Sequence, residues 1–468
     1  MKLYNTMTRT VEEFKSLNDK KVSLYTCGLT VYSQPHIGNW VAYIYWDILE
    51  RTLRAAGYTV NRVQNITDVG HLTSDEDAGE DKMLKSALKE GTTAWEVANK
   101  YIKIANEEAY SQLGLLHPAH MPRATEYIDQ QIAFVKGLEE KSLTYKIEDG
   151  VYFDTSKLTD YGKLARLDFE GLQFGARVAD TGKKNPTDFA LWKFSPVGQK
   201  RDMEWDSPWG KGFPGWHLEC SAMIRELLGD TIDIHTGGID HIPVHHTNEI
   251  AQSESLTGKP LANFWLHANH IKVDGTKISK SLGNGYTLKD ITDKGFSMDA
   301  FRLMVLSKHY RTEGNFSWEI LEAAQNRLKG YEAFADLQFQ NSDAGTLGED
   351  YFGKQMNRLY SALANDLDTS DALNVIKETA DHIENNAKGL PSRYLSDFQE
   401  FLLYADTLLG LHLSERKDIT NEQKALIKQR EKARNEKKWE ESDRFRLELE
   451  KQGIAIRDTL NGTIWSRI

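Results

Sequence analysis

The chain has 468 residues and carries 58 basic against 69 acidic side chains, which gives a formal net charge of −11. An acidic chain of this kind has no global basic field, so any contact with RNA must be local or based on shape. Since 40 % of the residues are hydrophobic, and since we find neither a signal-peptide core nor the ~18-residue apolar run of a membrane helix, we expect a cytoplasmic protein of two to four domains.

The first predicted elements form a strand–helix–strand unit. Residues 21–32, "KVSLYTCGLTVY", are apolar and β-branched and predict a buried strand. Residues 39–57 have apolar positions at helical spacing and end on a glycine, and residues 58–68 predict a second strand. Such a unit implies a parallel sheet. The turn "PHIGN" then lies at the carboxyl end of the first strand, where sheets of this kind bind ligands.

Further along the chain the predicted elements alternate between loops, helices and short strands. We predict, in order, an acidic loop at 72–83, helices from about 84 to 143, an inserted module at 150–178, segments 188–196 and 205–224 that return to the main sheet, and strand, turn and helix at 231–256. After these come a strand pair and loop at 263–284, mostly helical spacing from about 296, a polar linker at 414–423, and a charged helix with a small hairpin at 424–468.

Four residues with metal-binding side chains are spread over this chain. Cys27 and Cys220 are the only two cysteines, and one interpretation is that they are unrelated buried thiols. His245 and Glu249 are four residues apart, so a helix would present them on one face, although an exposed helix start gives the same spacing. Together the four form a candidate tetrahedral zinc set. Two thiolates and a carboxylate would leave about −1 around Zn²⁺, which favours an added thiolate over a hydroxyl.

Three short motifs indicate a nucleotide site. His36 and Gly38 lie where a helix begins, so a phosphate would meet the histidine ring and free backbone N–H groups, although a helix-capping histidine fits the tetrapeptide equally. The string "KISKSLGN" places Lys277 and Lys280 in a polar loop that either closes over a triphosphate or is simply solvated. In "HTGGID" the glycines permit close approach, and Asp240 can accept from ribose hydroxyls.

Taken together, the motifs resemble a class I aminoacyl-tRNA synthetase and, more narrowly, the cysteinyl-tRNA synthetase family. The resemblance covers essentially the whole chain and includes "YTCGLTVY", "NITD", "RATEYI", "NPTDFALWK", "SPWGKGFPGWHLECSAM", "HHTNEIAQ", "KISKSLGN" and "GTIW". It implies a ligase that activates L-cysteine with ATP to cysteinyl-adenylate and transfers the cysteinyl group to the 3′ terminal adenosine of tRNA(Cys). It also implies one zinc ion (Zn²⁺) per chain, magnesium (Mg²⁺) with ATP, a monomer, and no membrane partner.

The resemblance assigns roles to individual positions. It implies metal binding by Cys27, Cys220, His245 and Glu249; cysteine binding by Gly28, Thr67, Trp216 and His235; catalysis by His36, Asn39, Lys277 and Lys280; ATP binding by these last four together with Gly38, Gly238, Asp240 and Ser279; and anticodon contacts by Arg434, Trp439, Asp443 and Asp458. Without the resemblance, Trp439 would be interpreted as a packing residue. Two signature positions depart from the family, with Asn39 in place of a histidine and Ile278 in place of a methionine.

The implied fold is an α/β, Rossmann-like parallel-sheet catalytic domain of class I synthetase type with an inserted connective module, followed by an α-helical bundle and a small C-terminal anticodon-binding module. The expected boundaries are 1–115 and 206–265 for the two halves of the catalytic domain, 116–205 for the insertion, 266–314 for the signature loop and stem-contact region, 315–413 for the bundle, and 414–468 for the last module. Two alternatives stay open: a related ligase that joins cysteine to a small amine, and a non-catalytic RNA-binding paralogue.

Overall fold

The computed structural model describes residues 1–70, 81–166, 182–196, 198, 201–279, 282–342, 345–384, 390–459 and 462–468. Its strands are β1 (Lys2–Asn5), β2 (Thr10–Glu13), β3 (Lys21–Thr26), β4 (Thr59–Gln64), β5 (Thr144–Ile147), β6 (Gly150–Phe153), β7 (Phe189–Phe194), β8 (Gly212–Pro214), β9 (Ile232–Gly238), β10 (Ala262–Ala268), β11 (Ile271–Val273), β12 (Thr276–Lys277), β13 (Gly314–Phe316), β14 (Asn341–Ser342), β15 (Leu390–Pro391), β16 (Ile454–Thr459) and β17 (Gly462–Arg467).

The helices fall into two compact units, one made of residues 1–288 and 310–314, the other of residues 289–309 and 315–468. They are α1 (Ile37–Ala55), α2 (Lys82–Glu90), α3 (Ala94–Asn106), α4 (Ile128–Glu140), α5 (Trp216–Leu228), α6 (His245–Thr257), α7 (Leu288–Asp293), α8 (Met298–Leu306), α9 (Trp318–Ala335), α10 (Tyr351–Leu363), α11 (Thr369–His382), α12 (Leu395–Leu409), α13 (Asn421–Asn435) and α14 (Trp439–Lys451). Among the described helices, we find none with the length and apolar character that a membrane span requires.

The first unit is organised around a parallel sheet with strand order β10-β9-β3-β4. The unit β3–α1–β4 confirms the predicted strand–helix–strand arrangement and, with it, the α/β fold class. Strand β3 ends at Thr26, earlier than predicted, because the next backbone N–H groups leave the ladder with β4. The Gly28 N–H donates instead to the Asn65 side chain, at 2.7 Å. The chain therefore turns at Cys27, directly at the carboxyl edge of the sheet.

A separate antiparallel sheet, with order β5-β6-β7-β8, lies in the same unit. We predicted that residues 188–196 and 205–224 return to the main sheet. This is wrong for their strands, because β7 pairs with β6 and β8 instead. An apolar run identifies a buried strand but not the sheet that it joins. Helix α5 packs its Leu218 and Ala222 against this sheet, and Cys220 on another face belongs to the core beneath the parallel sheet. Helix α5 thus contacts both the antiparallel sheet and the core that contains Cys220.

The second unit contains a helical bundle followed by a small module. In the bundle core, Phe334 of α9 packs edge to face against Phe398 and Phe401 of α12, and Phe352 of α10 packs against the same two rings at tilted angles. The predicted linker at 414–423 has no helix or strand before α13 begins.

The C-terminal module, residues 416–468, consists of α13, α14 and the hairpin β16–β17 around a core of Ile419, Ile427, Leu449, Ile454 and Trp465. The hairpin was predicted, but the single helix was not correct. The helix is interrupted after Asn435, where Lys437 adopts a left-handed φ of 60°. A new helix then starts at Trp439. The residues that interrupt it, Glu-Lys-Lys, carry no glycine or proline to mark the break.

Candidate functional site

The end of β3 holds Cys27 at the centre of the first unit. Its backbone N–H donates to the Thr236 carbonyl on β9 at 3.2 Å, and its carbonyl accepts from the Tyr43 hydroxyl at 3.0 Å. Gly28 lies very close to Asn65. A Cβ added to Gly28 would overlap the backbone carbonyl of Asn65, at 2.6 Å from the carbonyl carbon. Only glycine fits this close approach without a backbone shift.

Two helices complete a group that we call the Cys/His/Glu cluster, made of Cys27, Cys220, His245 and Glu249. Helix α5 provides Cys220, and α6 presents His245 and Glu249 from one face, as the four-residue spacing requires. The four side chains are buried, and one ligand atom from each lies within 4.8 Å of all the others. The described residues contain a second group of the same kind, which shares Cys27 and Glu249 and replaces the other two ligands by His235 and His246.

The carboxylate of Glu249 lies between two imidazole rings. Its Oε2 is 2.8 Å from His235 Nε2, and its Oε1 is 3.2 Å from His245 Nε2. Burial alone would raise the pKa of Glu249, but His235 and His245 hold it below its usual range. Burial likewise opposes the charge of His245, yet Glu249 and Cys220 together raise its pKa to about 10. Without a metal, an ionic pair therefore occupies the cluster.

The surroundings of the two thiols favour their protonated forms. Burial raises the pKa of Cys27, and burial together with the neighbouring Cys27 raises that of Cys220 further. Zinc binding would displace these protons, because a metal is bound by thiolates and by a neutral imidazole. Two sulfurs, one nitrogen and one oxygen are a donor set that zinc accepts. The residues present thus fit a zinc ion.

Three of the four predicted cysteine-binding residues lie next to this cluster, and the fourth, Thr67, is connected to it through Asn65. Gly28 is next to Cys27, and the Trp216 ring lies 4.6 Å from the His245 ring. His235 stacks on Trp265 at 4.6 Å, with the two ring planes within 15° of each other. The Thr67 hydroxyl accepts from the side-chain amide N–H of Asn65 at 3.1 Å. The side-chain oxygen Oδ1 of Asn65 accepts from the Gly28 N–H. Asn65 therefore orients two of the four positions.

Sequence reasoning missed Asn65 and a chain of hydrogen bonds that leads away from Cys27. His246 Nε2 lies 3.3 Å from the Cys27 sulfur, and its Nδ1 lies 2.8 Å from His267 Nε2. The other nitrogen of His267 lies 2.8 Å from the Thr6 hydroxyl. Burial lowers the pKa of both histidines, so both are neutral. In the sequence, the strings Asn-Ile-Thr-Asp and His-His contain Asn65 and His246, but neither string indicates these hydrogen bonds.

The nucleotide motifs meet at the start of α1. His36 is the N-cap residue, and its backbone N–H donates to Asn39 Oδ1 at 3.0 Å. A Cβ on Gly38 would lie 2.8 Å from Cδ1 of Ile278, so the two signature motifs are in contact. Asn284 closes the signature loop, since it accepts from the Ser279 N–H at 2.8 Å and donates to the Lys277 carbonyl at 3.1 Å.

The remaining predicted nucleotide residues divide into two groups. Gly238 ends β9, and Asp240 follows in a short 3-10 turn, with a carboxylate oxygen against the space that a Cβ on Gly238 would occupy. Both lie at the carboxyl edge of the parallel sheet. Lys280 lies outside the described residues, and so do Ser281 and residues 72–80 of the predicted acidic loop.

The predicted anticodon residues come together in the C-terminal module. Arg434 approaches the Asp458 carboxylate at 3.3 Å and lies 5.9 Å from the Trp439 ring centre. Asp443 is exposed one turn after Trp439. Trp439 is 56 % exposed, which contradicts the packing interpretation.

Sequence reasoning missed Arg430, whose guanidinium is buried and donates to both oxygens of Asp458. This fork is the main reason why the pKa of Asp458 falls to about 2. Asp458 is therefore ionised and fixed in orientation at neutral pH.

Comparison with known proteins gives matches for the part of the chain that contains the cluster and for the C-terminal module. A family model described as the catalytic domain of "tRNA synthetases class I (C)" matches residues 13–326, and one described as "Cysteinyl-tRNA ligase anticodon binding domain" matches residues 416–465. Cysteine–tRNA ligase 1 of Burkholderia lata is 44 % identical over 465 residues, 98 % of this chain and 95 % of the relative. The cysteine–tRNA ligase of Treponema denticola is 38 % identical over 503 residues, with both chains covered completely.

Solved structures give the same fold at low identity. Mycobacterium tuberculosis methionyl-tRNA synthetase bound by methionyl-adenylate aligns with a TM-score of 0.60 and 13 % identity, over 84 % of this chain and 93 % of that one. A leucyl-tRNA synthetase of Agrobacterium radiobacter, in a ternary complex with tRNA, aligns with a TM-score of 0.60 and 12 % identity, over 86 % and 85 %. These likenesses concern the fold alone and confirm the predicted class I architecture.

Proposed function

The chain belongs to the cysteinyl-tRNA synthetase family, and from that premise we propose that its Cys/His/Glu cluster binds zinc and thereby distinguishes cysteine from serine. The family resemblance predicted from the motifs is confirmed, and the chain is a ligase that activates cysteine and charges tRNA. The observation that supports the zinc proposal is the convergence of both cysteines of the chain on Glu249 and His245.

Discrimination requires more than an apolar pocket can supply. Rejecting an analogue by ~10⁴–10⁵ corresponds to about 5.5–7 kcal/mol, whereas one small apolar difference contributes only about 1–3 kcal/mol. A zinc ion with two thiolate ligands would supply a further coordination position that prefers a soft thiolate to a hydroxyl. The Trp216 ring lies 4.6 Å from the ring of His245, and Asn65 bonds to both Gly28 and Thr67, so these residues would line the position for the substrate thiolate.

The nucleotide residues act through position and charge rather than through acid–base chemistry. The substrate carboxylate attacks the α-phosphate of ATP and displaces pyrophosphate, and a magnesium ion bound with ATP would offset the charge on the phosphates. His36 and the N-terminus of α1 would bind phosphate oxygens, while Asp240 would accept from the ribose. Because Asn39 Oδ1 is used to cap the helix, its amide N–H groups are the ones that would donate to phosphate. Lys277 and Lys280 would stabilise the charge that develops on the leaving group.

A charging assay separates tRNA from a small amine as the acceptor. We expect radiolabelled cysteine, with ATP, to become acid-precipitable only when tRNA(Cys) is added. Label that appears only on small molecules would support the ligase of small amines, and an absence of cysteine-dependent ATP–pyrophosphate exchange would support a non-catalytic paralogue. The match of residues 416–465 to an anticodon-binding domain favours tRNA.

The C-terminal module would read the anticodon through Arg434, Trp439, Asp443 and Asp458. Replacing Trp439 by alanine should raise the KM for tRNA(Cys) about 5- to 150-fold, since stacking of a base on an aromatic ring contributes about 1–3 kcal/mol. Steady-state aminoacylation measures this change. Leu447→Ala, an exposed apolar residue on the same helix, is the matched control and should leave the KM unchanged. Equal effects of the two variants would remove the stacking role.

Three further expectations remain proposals. They are that the enzyme is cytoplasmic, that it is a monomer, and that the chain is divided into the six segments given above. The antiparallel sheet includes β8, which lies beyond the expected end of the insertion at residue 205. Size-exclusion chromatography with light scattering measures the oligomeric state directly.

A further inference from the structure

A single buried carboxylate stands at the end of helix α9. Asp336 follows the last residue of α9 and is 0 % exposed. Arg416 donates through Nε to Oδ1 at 2.7 Å and through Nη2 to Oδ2 at 2.8 Å, and Arg467 donates through Nη1 to Oδ2 at 2.6 Å. Glu332, one helical turn earlier, lies 3.1 Å from Arg416. Two guanidinium groups thus share one carboxylate that water does not reach.

The two arginines lie at opposite ends of the C-terminal module. Arg416 precedes α13, whereas Arg467 is the penultimate residue of the chain, at the end of β17. Arg467 also donates to the Lys417 carbonyl. Because both ends of the module meet at Asp336, this one side chain holds the module at its entry and at its exit.

A second contact from the same segment supports the first. The Gln340 side chain donates to the Trp465 carbonyl at 3.0 Å and accepts from the Trp465 N–H at 2.7 Å. It therefore satisfies both backbone groups of one residue of β17, as a neighbouring strand would. Phe339 packs against the core of the module. Residues 336–340, directly after α9, thus form a contact surface for the module.

We propose that Asp336 is a positioning residue for tRNA, which holds the C-terminal module in the one orientation that lets its exposed face reach the anticodon. The proposal rests on the proposed function of that module. The module has its own apolar core, so loss of the carboxylate would leave it folded but held less firmly, through the contacts of Gln340 and Phe339. Without Asp336 the two guanidinium groups would also repel each other. Anticodon contacts would then no longer add fully to the binding of the rest of the tRNA.

The test compares anticodon discrimination in Asp336→Asn with that of the unmodified protein. Discrimination is the ratio of kcat/KM for tRNA(Cys) to kcat/KM for a transcript with substituted anticodon bases. We expect this ratio to fall about 10- to 100-fold in Asp336→Asn, through a higher KM for tRNA(Cys), while the transcript that already lacks the contacts changes little. Cysteine-dependent ATP–pyrophosphate exchange, which does not involve the module, should stay within about twofold.

The controls separate this role from general stability. Glu378→Gln removes an exposed ion pair with Arg358 in the same unit and should leave the ratio unchanged. If Asp336→Asn loses pyrophosphate exchange because it does not fold, Arg467→Gln, which removes one of the three hydrogen bonds, carries the test. An unchanged discrimination ratio in a folded variant overturns the positioning role. A ratio near one in the unmodified protein would instead refute anticodon reading by the module.

Discussion

Replacing Cys220 by serine should remove most of the bound zinc and lower kcat/KM for cysteine by at least about 10³-fold, mainly through KM. The thiol lies in the cluster with Cys27, His245 and Glu249, and a buried hydroxyl is a poor ligand for a soft site. The chain would also lose discrimination against serine, because the preference for sulfur depends on the same coordination sphere. Metal analysis of the purified variant and pyrophosphate exchange at several cysteine concentrations measure these effects.

The second group of potential ligands makes this prediction sharp. It contains His235 and His246 in place of Cys220 and His245. If that group held the metal, Cys220→Ser would keep its zinc, whereas His246→Asn would lose it. We expect the reverse, because His246 already bonds to the Cys27 sulfur and to His267 through its two ring nitrogens. Retention of zinc in Cys220→Ser would therefore contradict the assigned ligand set.

Replacing Gly28 by alanine should be the most damaging change of a single methyl group. The new Cβ would overlap the Asn65 carbonyl, so the backbone beside Cys27 must move. Overpacking of this kind costs about 1–3 kcal/mol of unfolding free energy or more, and a shift of about 1 Å at a reacting centre costs about 10²-fold in rate. Thermal unfolding and the rate of cysteine activation would both report the change.

The matched control is a glycine with open space around it. Gly330 lies within α9, and a Cβ there would meet nothing within 4 Å. Gly330→Ala should raise the unfolding free energy by about 0.5–1 kcal/mol because alanine restricts the unfolded chain and favours the helix. Its activity should not change. If Gly28→Ala behaved like Gly330→Ala, the close approach between β3 and Asn65 would have no part in shaping the site.

The sequence was sufficient for the elements that carry the cluster. A strand that ends near Cys27 and a helix with His245 and Glu249 four residues apart follow from local patterns. Their meeting point follows from the parallel sheet, since the carboxyl ends of its strands share one edge.

Interactions between distant segments were beyond such patterns. Strand β7 has the composition of a buried strand, but its partners β6 and β8 are set by packing. The contact surface for the C-terminal module joins Asp336 to Arg416 and Arg467, 80 and 131 residues away. No local sequence pattern indicates that Asp336 is buried. The break at Lys437 was missed because a left-handed residue other than glycine or asparagine has no sequence signal.

X-ray absorption at the zinc edge of the purified full chain tests the central claim most directly. We predict zinc with two sulfur neighbours, from Cys27 and Cys220, and a third sulfur when L-cysteine is added, with no such increase for L-serine. A metal without sulfur neighbours, or a sulfur count that is the same with and without cysteine, would contradict the account.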